Sequence, residues 1–225
     1  MTDNINYPHI VEYLNKTLPE AKGIIKELEE YAAENLVPII QKEVRSFLGM
    51  LLKYKAPKNI LELGTAIGYS SIFFSDYILP GGKIITLERE DDYFAIANEN
   101  IKRAGKEDVI TVIKGDAFET VKKIDGNFDM IFMDANKSMY RYYLDTLFPK
   151  LNPGGIVVCD NILYKGMVSC DDLAPRKQNT IILNLREFLD YISHHPSLET
   201  SIIPIGDGVS VSVKKAAASG GKINE

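Results

Sequence analysis

The spacing of apolar residues along this chain of 225 residues changes near residue 57. Before that point, apolar positions recur three and four residues apart, as with Leu28, Tyr31 and Ala32, which is the spacing of one helix face. After it, short apolar runs alternate with further segments of helical spacing. The pattern therefore predicts three N-terminal helices, at 3–16, 20–35 and 39–55, followed by alternating strands and helices.

Five apolar runs bounded by turn residues are typical of buried β-strands. A segment of helical spacing follows each run, and Gly105 ends one of these helices. Such alternation predicts a parallel sheet covered by helices on both faces. The predicted strands are 58–64, 82–88, 108–115, 128–135 and 154–161, and the predicted helices are 69–77, 91–105, 116–124, 138–151 and 175–193.

The C-terminal part of the chain carries two alternating segments, 200–206 and 208–215, joined across Gly-Asp-Gly. This arrangement indicates a hairpin that is too short for a crossover, so it should add two antiparallel strands. We therefore expect an α/β fold with a mostly parallel seven-stranded sheet. We expect one domain over 1–215, with 1–56 as a helical appendage, and a disordered tail at 216–225.

The composition is 45% hydrophobic and 25% charged, which is ordinary for a soluble globular protein. No run approaches the roughly 18 apolar residues that span a bilayer, and the N-terminus lacks the pattern of a signal peptide. Cys159 and Cys170 have no metal-binding or redox spacing, which favours a reducing, cytoplasmic location. The net charge of −5 argues against a broad nucleic-acid-binding face.

The first predicted strand ends in the sequence LELGTAIGYS, whose glycines are Gly64 and Gly68. A glycine-rich turn at this position lets a ligand approach the backbone closely. Ala66 stands where a dinucleotide fingerprint would carry a further glycine, so pyrophosphate binding is disfavoured. The chain also has no G-x-x-x-x-G-K-[ST] phosphate-binding loop. The alternative is a tight turn that holds no ligand.

Acidic residues lie at three predicted strand ends around this turn. Glu62 precedes Gly64, and Glu88 ends the second strand, where a carboxylate can accept both hydroxyls of a ribose. Asp116 follows the third strand, where it can reach an adenine edge or simply cap a helix. Acids would repel a pyrophosphate but suit an adenosine that carries a cation. S-adenosylmethionine is such a molecule.

A second group of oxygen ligands lies at the ends of strands four and five. Asp134 ends the fourth strand, and Asp160 and Asn161 end the fifth. Two carboxylates and an amide oxygen suit Mg²⁺. A bound ion can lower the pKa of a hydroxyl on a substrate with two vicinal oxygens, and Lys137 is placed to take the proton. The alternative is that Asp-Asn is a turn pair.

With these motifs the chain resembles the metal-dependent O-methyltransferases of the catechol and caffeoyl-CoA type. The resemblance implies a Rossmann-like class I methyltransferase fold. It assigns Asp134 to both metal and cofactor, Lys137 to the base, and Asp160 and Asn161 to the metal. The implied contacts to S-adenosylmethionine are Ile40, Glu62, Gly64, Gly68, Ser70, Glu88, Asp116, Ala117 and Asp134.

Within the family, the stretches VPI, LELGTAIGYS, DNILYKGMV and IIPIGDGVSVS are most similar to bacterial enzymes that methylate 5-hydroxyuridine in tRNA. This similarity implies that the substrate is the anticodon loop of tRNA and that the product is 5-methoxyuridine at the wobble position. The family resemblance implies a homodimer. One alternative is a small-molecule enzyme of the catechol or caffeoyl-CoA type. Another is a non-catalytic protein that binds S-adenosylmethionine, against which the intact set of Asp134, Lys137, Asp160 and Asn161 speaks.

Overall fold

The structure, a computed structural model, describes residues 5–173 and 179–216. The start of the first predicted helix, residues 175–178 of the last one, and the predicted tail beyond residue 216 lie outside the described residues. The strands are β1 (Asn59–Leu63), β2 (Lys83–Glu88), β3 (Ile110–Lys114), β4 (Phe128–Met133), β5 (Leu151–Cys159), β6 (Leu198–Ile203) and β7 (Val209–Lys214). The α-helices are α1 (Pro8–Thr17), α2 (Ile24–Asn35), α3 (Lys42–Lys55), α4 (Tyr69–Ser75), α5 (Asp91–Arg103), α6 (Ala117–Thr120), α7 (Tyr140–Leu147) and α8 (Asn179–His194).

The strands form one sheet in the order β3-β2-β1-β4-β5-β7-β6. Neighbouring strands from β3 to β5 pair in parallel, whereas β7 runs antiparallel to both β5 and β6. The predicted fold is confirmed: a Rossmann-like, mostly parallel sheet of seven strands with a C-terminal antiparallel hairpin and N-terminal helices. The extent of the domain, predicted as 1–215, stays a prediction.

Helices cover both faces of the sheet because β1 sends alternate apolar side chains to opposite sides. Ile60 packs in one cluster with Leu28 of α2 and Leu48 of α3. The next residue, Leu61, packs in the other cluster with Phe188 of α8. The N-terminal helices therefore complete the hydrophobic core on one face. No helix within the described residues is long and apolar enough to cross a membrane.

The N-terminal helices begin later than predicted, and the first two do so for a local reason. α1 begins at Pro8 rather than at residue 3, because the fixed φ of proline suits the first helical position. α2 begins after Gly23, whose φ of +56° is not helical. α3 begins at Lys42, which leaves residues 37–41 outside regular secondary structure. This non-helical segment reaches the functional cleft.

Candidate active site

A cleft of about 1020 Å³ lies at the carboxyl ends of the parallel strands, where ligands bind in open α/β sheets. Its walls include residues that follow each of the strands β1 to β5. Eight of the twelve residues predicted to form the site line this cleft: Gly64, Glu88, Asp116, Ala117, Asp134, Lys137, Asp160 and Asn161. The other four are Ile40, Glu62, Gly68 and Ser70.

The turn after β1 needs its two glycines for different reasons. Gly64 has a φ of +100°, and a Cβ atom there would lie 2.6 Å from the carbonyl oxygen of Asp134. Its own N–H donates to the carbonyl oxygen of Leu87, at 3.1 Å. Gly68 has a φ of +83° and immediately precedes α4. Glycine at position 64 therefore lets the loops after β1 and β4 approach each other.

Glu88 joins the glycine turn to the end of β2. One carboxylate oxygen accepts the N–H of Ala66 and the other accepts the N–H of Glu90, each at 2.8 Å. Each carboxylate oxygen has two lone pairs, so both retain capacity for a ligand hydroxyl. Glu88 is buried yet lines the cleft, so its carboxylate lies at the strand end where the sequence predicts a ribose contact.

Asp116 performs the helix-capping role that was the alternative to adenine binding. Its carboxylate accepts the N–H of Phe118 at 2.8 Å and so caps α6. Asp116 and Ala117 nevertheless both line the cleft, and Arg89 Nη1 lies 4.0 Å from the Asp116 carboxylate. Capping and ligand binding are compatible here, because the cap engages only one of the two carboxylate oxygens.

Glu62 lies beneath the glycine turn rather than in the cleft. It is fully buried, and its two carboxylate oxygens accept the hydroxyls of Ser70 and Ser71. Desolvation raises the pKa of Glu62 to about 7, although the hydroxyl hydrogen bonds oppose the shift. Ser70, predicted to contact the cofactor, thus supports the base of the turn in this structure.

Ile40 is buried in the hydrophobic core and is not a lining residue. Its neighbours Pro38, Ile39 and Gln41 line the cleft instead. The N-terminal segment therefore reaches the site as expected, but through different side chains. The motif VPI indicated the segment, while the alternation of its side chains between core and cleft was not visible from the sequence.

Asp134 and Asp160 lie side by side because β4 and β5 end level with each other. Met133 pairs with Cys159 at the last residue of each strand. The N–H of Asp160 donates to the Met133 carbonyl at 3.1 Å. The buried hydroxyl of Tyr140 lies 3.0 Å from that carbonyl oxygen and 3.1 Å from the carbonyl oxygen of Asp160. Tyr140, which sequence reasoning missed, therefore holds the two strand ends together.

The region around these acids favours a bound cation. Desolvation raises the pKa of both Asp134 and Asp160, and repulsion by Asp134 raises that of Asp160 further. Lys137 Nζ lies 3.2 Å from Asp134 Oδ1 and opposes the increase at Asp134. The positive charge of Lys137 also lowers the pKa of Asp160, so the same ammonium group acts on both carboxylates. The negative charge of Asp207 adds to the repulsion at Asp160. A cation would relieve this repulsion.

The donor atoms suit a hard divalent cation such as Mg²⁺. Asp134, Asp160 and Asn161 would supply oxygen ligands, which Mg²⁺ prefers. Asn161 has a φ of +54°, a conformation that asparagine tolerates, so its role as a turn residue is also satisfied. Within 5–173 and 179–216, no three or more His, Cys, Asp or Glu residues form a group that could hold a metal ion. The predicted set has only two such residues, since its third ligand is an amide.

The end of the cleft beside Asp160 and Asn161 contains residues for which the sequence predicted no role. Tyr164 and Lys165 come from the loop after β5, Ile181 comes from α8, and Asp207 comes from the β6–β7 turn. The sequence identified the Gly-Asp-Gly turn only as a hairpin connection. Its contribution to the cleft depends on the pairing of β7 with β5, which is a long-range contact.

A family model described as O-methyltransferase matches residues 15–215 of this chain. The caffeoyl-CoA O-methyltransferase of Populus kitakamiensis is 33% identical over 211 residues, covering 88% of this chain and 89% of that protein. The catechol O-methyltransferase of Niastella koreensis is 31% identical over 178 residues, covering 75% of this chain and 79% of that protein.

Solved structures of methyltransferases share the fold. The SAH-bound methyltransferase of Podospora anserina superposes with a TM-score of 0.84 at 26% identity, covering 96% of this chain and 100% of the other. SAH, S-adenosylhomocysteine, is what remains of S-adenosylmethionine after its methyl group has been transferred.

Proposed function

The chain belongs to the O-methyltransferase family and is an S-adenosylmethionine-dependent enzyme; on that premise we propose that its acceptor is a small molecule with two vicinal oxygens, of the catechol or caffeoyl-CoA type. We further propose that Asp134, Asp160 and Asn161 hold a divalent cation, Mg²⁺ by preference. Lys137 serves as the proton acceptor in this proposal.

The observation that carries the proposal is the convergence of two kinds of site in one cleft. Glu88 and Asp116 lie at the ends of β2 and β3, where they suit a nucleoside. Asp134 and Asp160 lie at the adjacent ends of β4 and β5. A methyl donor and an acceptor bound at these two places would share the space between them, so that positioning would contribute much of the rate enhancement.

Each side chain has a definable task in this reaction. Glu88 would accept the ribose hydroxyls with a carboxylate that two backbone N–H groups already orient. Lys137, held beside Asp134, would take the proton from the acceptor hydroxyl once it is itself neutral. A bound Mg²⁺ would supply Lewis-acid stabilisation of negative charge on the acceptor oxygens.

The identity of the relatives supports a small acceptor over tRNA. Catechol and the caffeoyl group each carry two adjacent ring hydroxyls, and the relatives from Populus and Niastella are named for these acceptors. In this proposal the acceptor binds at the end of the cleft beside Asp160, which we call the acceptor end. Tyr164 and Ile181 give this end an apolar surface on which a ring can pack. The C5 hydroxyl and C4 carbonyl of 5-hydroxyuridine are also vicinal, so tRNA is the appropriate competitor in a test.

The test is methyl transfer from labelled S-adenosylmethionine to catechol, caffeoyl-CoA and tRNA that carries 5-hydroxyuridine, each with Mg²⁺ and with a chelator. We expect Mg²⁺-dependent catechol-type ethers to form with a kcat/KM well above that for tRNA. Much faster formation of 5-methoxyuridine would overturn the proposed acceptor while retaining the chemistry. Equal rates with chelator and with Mg²⁺ would overturn the role of the cation.

A further inference from the structure

Three hydrogen bonds between described residues help to attach the loop that follows β5 to the β6–β7 turn. The N–H groups of Ile162 and Leu163 donate to the carbonyl oxygens of Gly208 and Asp207, each at 3.0 Å. The third bond is made by a side chain: the carboxylate of Asp207 accepts the N–H of Lys165. Asp207 therefore contacts the loop through both its main chain and its side chain.

This attached loop has an unfavourable backbone conformation. Asn161, Tyr164 and Lys165 have φ values of +54°, +49° and +58°, in the left-handed region that favours glycine. Residues in such conformations persist when surrounding structure determines them, and they are concentrated at functional sites. Because no glycine occupies these three positions, the loop depends on its contacts to keep this shape.

The turn and the loop also fit together sterically. A Cβ atom at Gly208 would lie 2.4 Å from Leu163 Cγ, so a side chain there would displace the loop. Tyr164, Lys165, Asn161 and Asp207 all line the cleft beside Asp160. The position of the loop relative to the turn consequently determines the shape of the acceptor end.

We propose that Asp207 is a positioning residue for the acceptor: by accepting the Lys165 N–H, its carboxylate holds the loop so that Asn161 and Tyr164 keep their places in the cleft. The inference rests on the proposed function, because it assigns the acceptor to this end of the cleft. Without the hydrogen bond, the loop loses a constraint at Lys165, one of its three left-handed residues. The acceptor then binds more weakly and in more than one orientation.

The test compares Asp207→Ala, which removes the acceptor oxygen, with Asp207→Asn, which keeps one and removes only the charge. The probe is 3,4-dihydroxybenzoate, a catechol whose two hydroxyls give distinguishable ethers. For Asp207→Ala we expect its KM to rise about tenfold, in line with loss of a hydrogen bond to a charged group. We also expect a changed ratio of the two ethers and faster amide hydrogen exchange in peptides covering 161–169. Asp207→Asn should have a KM, an ether ratio and an exchange rate close to those of the wild-type protein.

The matched control is Asp129, whose carboxylate also accepts backbone N–H groups. It bonds to Lys58 and Asn59 at 2.8 and 3.0 Å, at the end of the sheet opposite the cleft. Asp129→Ala should lower the melting temperature while leaving the ether ratio and the exchange of 161–169 unchanged.

The outcomes separate this inference from the proposed function. If Asp207→Ala lowers only the melting temperature, like Asp129→Ala, the positioning role is overturned. It is also overturned if Asp207→Asn is as impaired as Asp207→Ala, because charge rather than hydrogen bonding would then matter. If the wild-type protein methylates no catechol, the proposed function fails, whereas hydrogen exchange still shows whether Asp207 holds the loop.

Discussion

Glu62 is an ionisable group placed where ionisation is costly. Its carboxyl is fully buried and bonded to two serine hydroxyls, and its pKa is raised from 4.5 to about 7. The unfolded chain therefore releases this proton at a lower pH than the folded protein does. Its contribution to stability is retained below about pH 4.5 and is lost as the pH rises towards 7.

We predict that Glu62→Gln abolishes this loss of stability with rising pH, because the amide does not titrate. Between pH 4.5 and 7 the wild-type protein should lose roughly 3 kcal/mol of unfolding free energy through Glu62, relative to the variant. Urea unfolding of both proteins at several pH values measures the difference directly. A constant difference between the two proteins across this range would show that Glu62 titrates normally in the folded state.

Lys137 is the second residue whose role a single substitution can test. Lys137→Gln removes the amine but retains much of the side-chain length. We expect kcat for the catechol acceptor to fall by about 10²–10⁴-fold, the usual contribution of a general base, while calorimetry shows similar binding of S-adenosylmethionine. Lys102→Gln, on the exposed side of α5, is the control. A fall in kcat of less than about tenfold would remove Lys137 from the chemistry, because a general base typically contributes about 10²–10⁴-fold.

At the scale of elements, the sequence predicts well those features that depend on residues close together in the chain. Apolar runs identified the five parallel strands, and the acids at or just after the ends of β2, β3, β4 and β5 indicated the edge at which the cleft lies. The sequence did not reveal how Tyr140 bridges β4 and β5, how residues 37–41 reach the cleft, or how Asp207 meets the loop after β5. Each of these depends on a contact between distant segments, which no local pattern encodes.

The Tyr140 contact predicts a coupling between two strands. Tyr140→Phe leaves the strand-end carbonyls of Met133 and Asp160 without this donor in a buried setting. We expect a loss of about 1–3 kcal/mol of stability together with weaker Mg²⁺ binding, because Asp160 follows directly from the released strand end. Calorimetry of unfolding and of Mg²⁺ binding measures both.

The control for this element is another tyrosine of α7. The hydroxyl of Tyr142 bonds to the Phe118 carbonyl at 3.1 Å on an exposed surface, so Tyr142→Phe should change stability little. If Tyr140→Phe behaves like Tyr142→Phe, the strand ends are held by the β4–β5 pairing alone.

At the scale of the whole molecule, the proposed cation site would couple ligand binding to folding. Asp134 and Asp160 are brought together only when β4 and β5 pair, so the unfolded chain has no such site. A ligand that binds only the folded state stabilises it by about 2.7 kcal/mol at one hundred times its Kd. For a chain of this length each kcal/mol corresponds to roughly 2–4 °C in melting temperature.

We therefore expect Mg²⁺ at saturating concentration to raise the melting temperature of the wild-type protein by several degrees, and a chelator to reverse the effect. Asp160→Asn removes one carboxylate and should abolish most of the increase. The substitution also relieves the repulsion with Asp134, so the variant without Mg²⁺ should be at least as stable as the wild type. A smaller response to Mg²⁺ combined with undiminished stability in its absence distinguishes loss of a cation site from general damage to the fold. General damage would lower stability both with and without Mg²⁺. An equal response to Mg²⁺ in the two proteins would exclude Asp160 as a ligand.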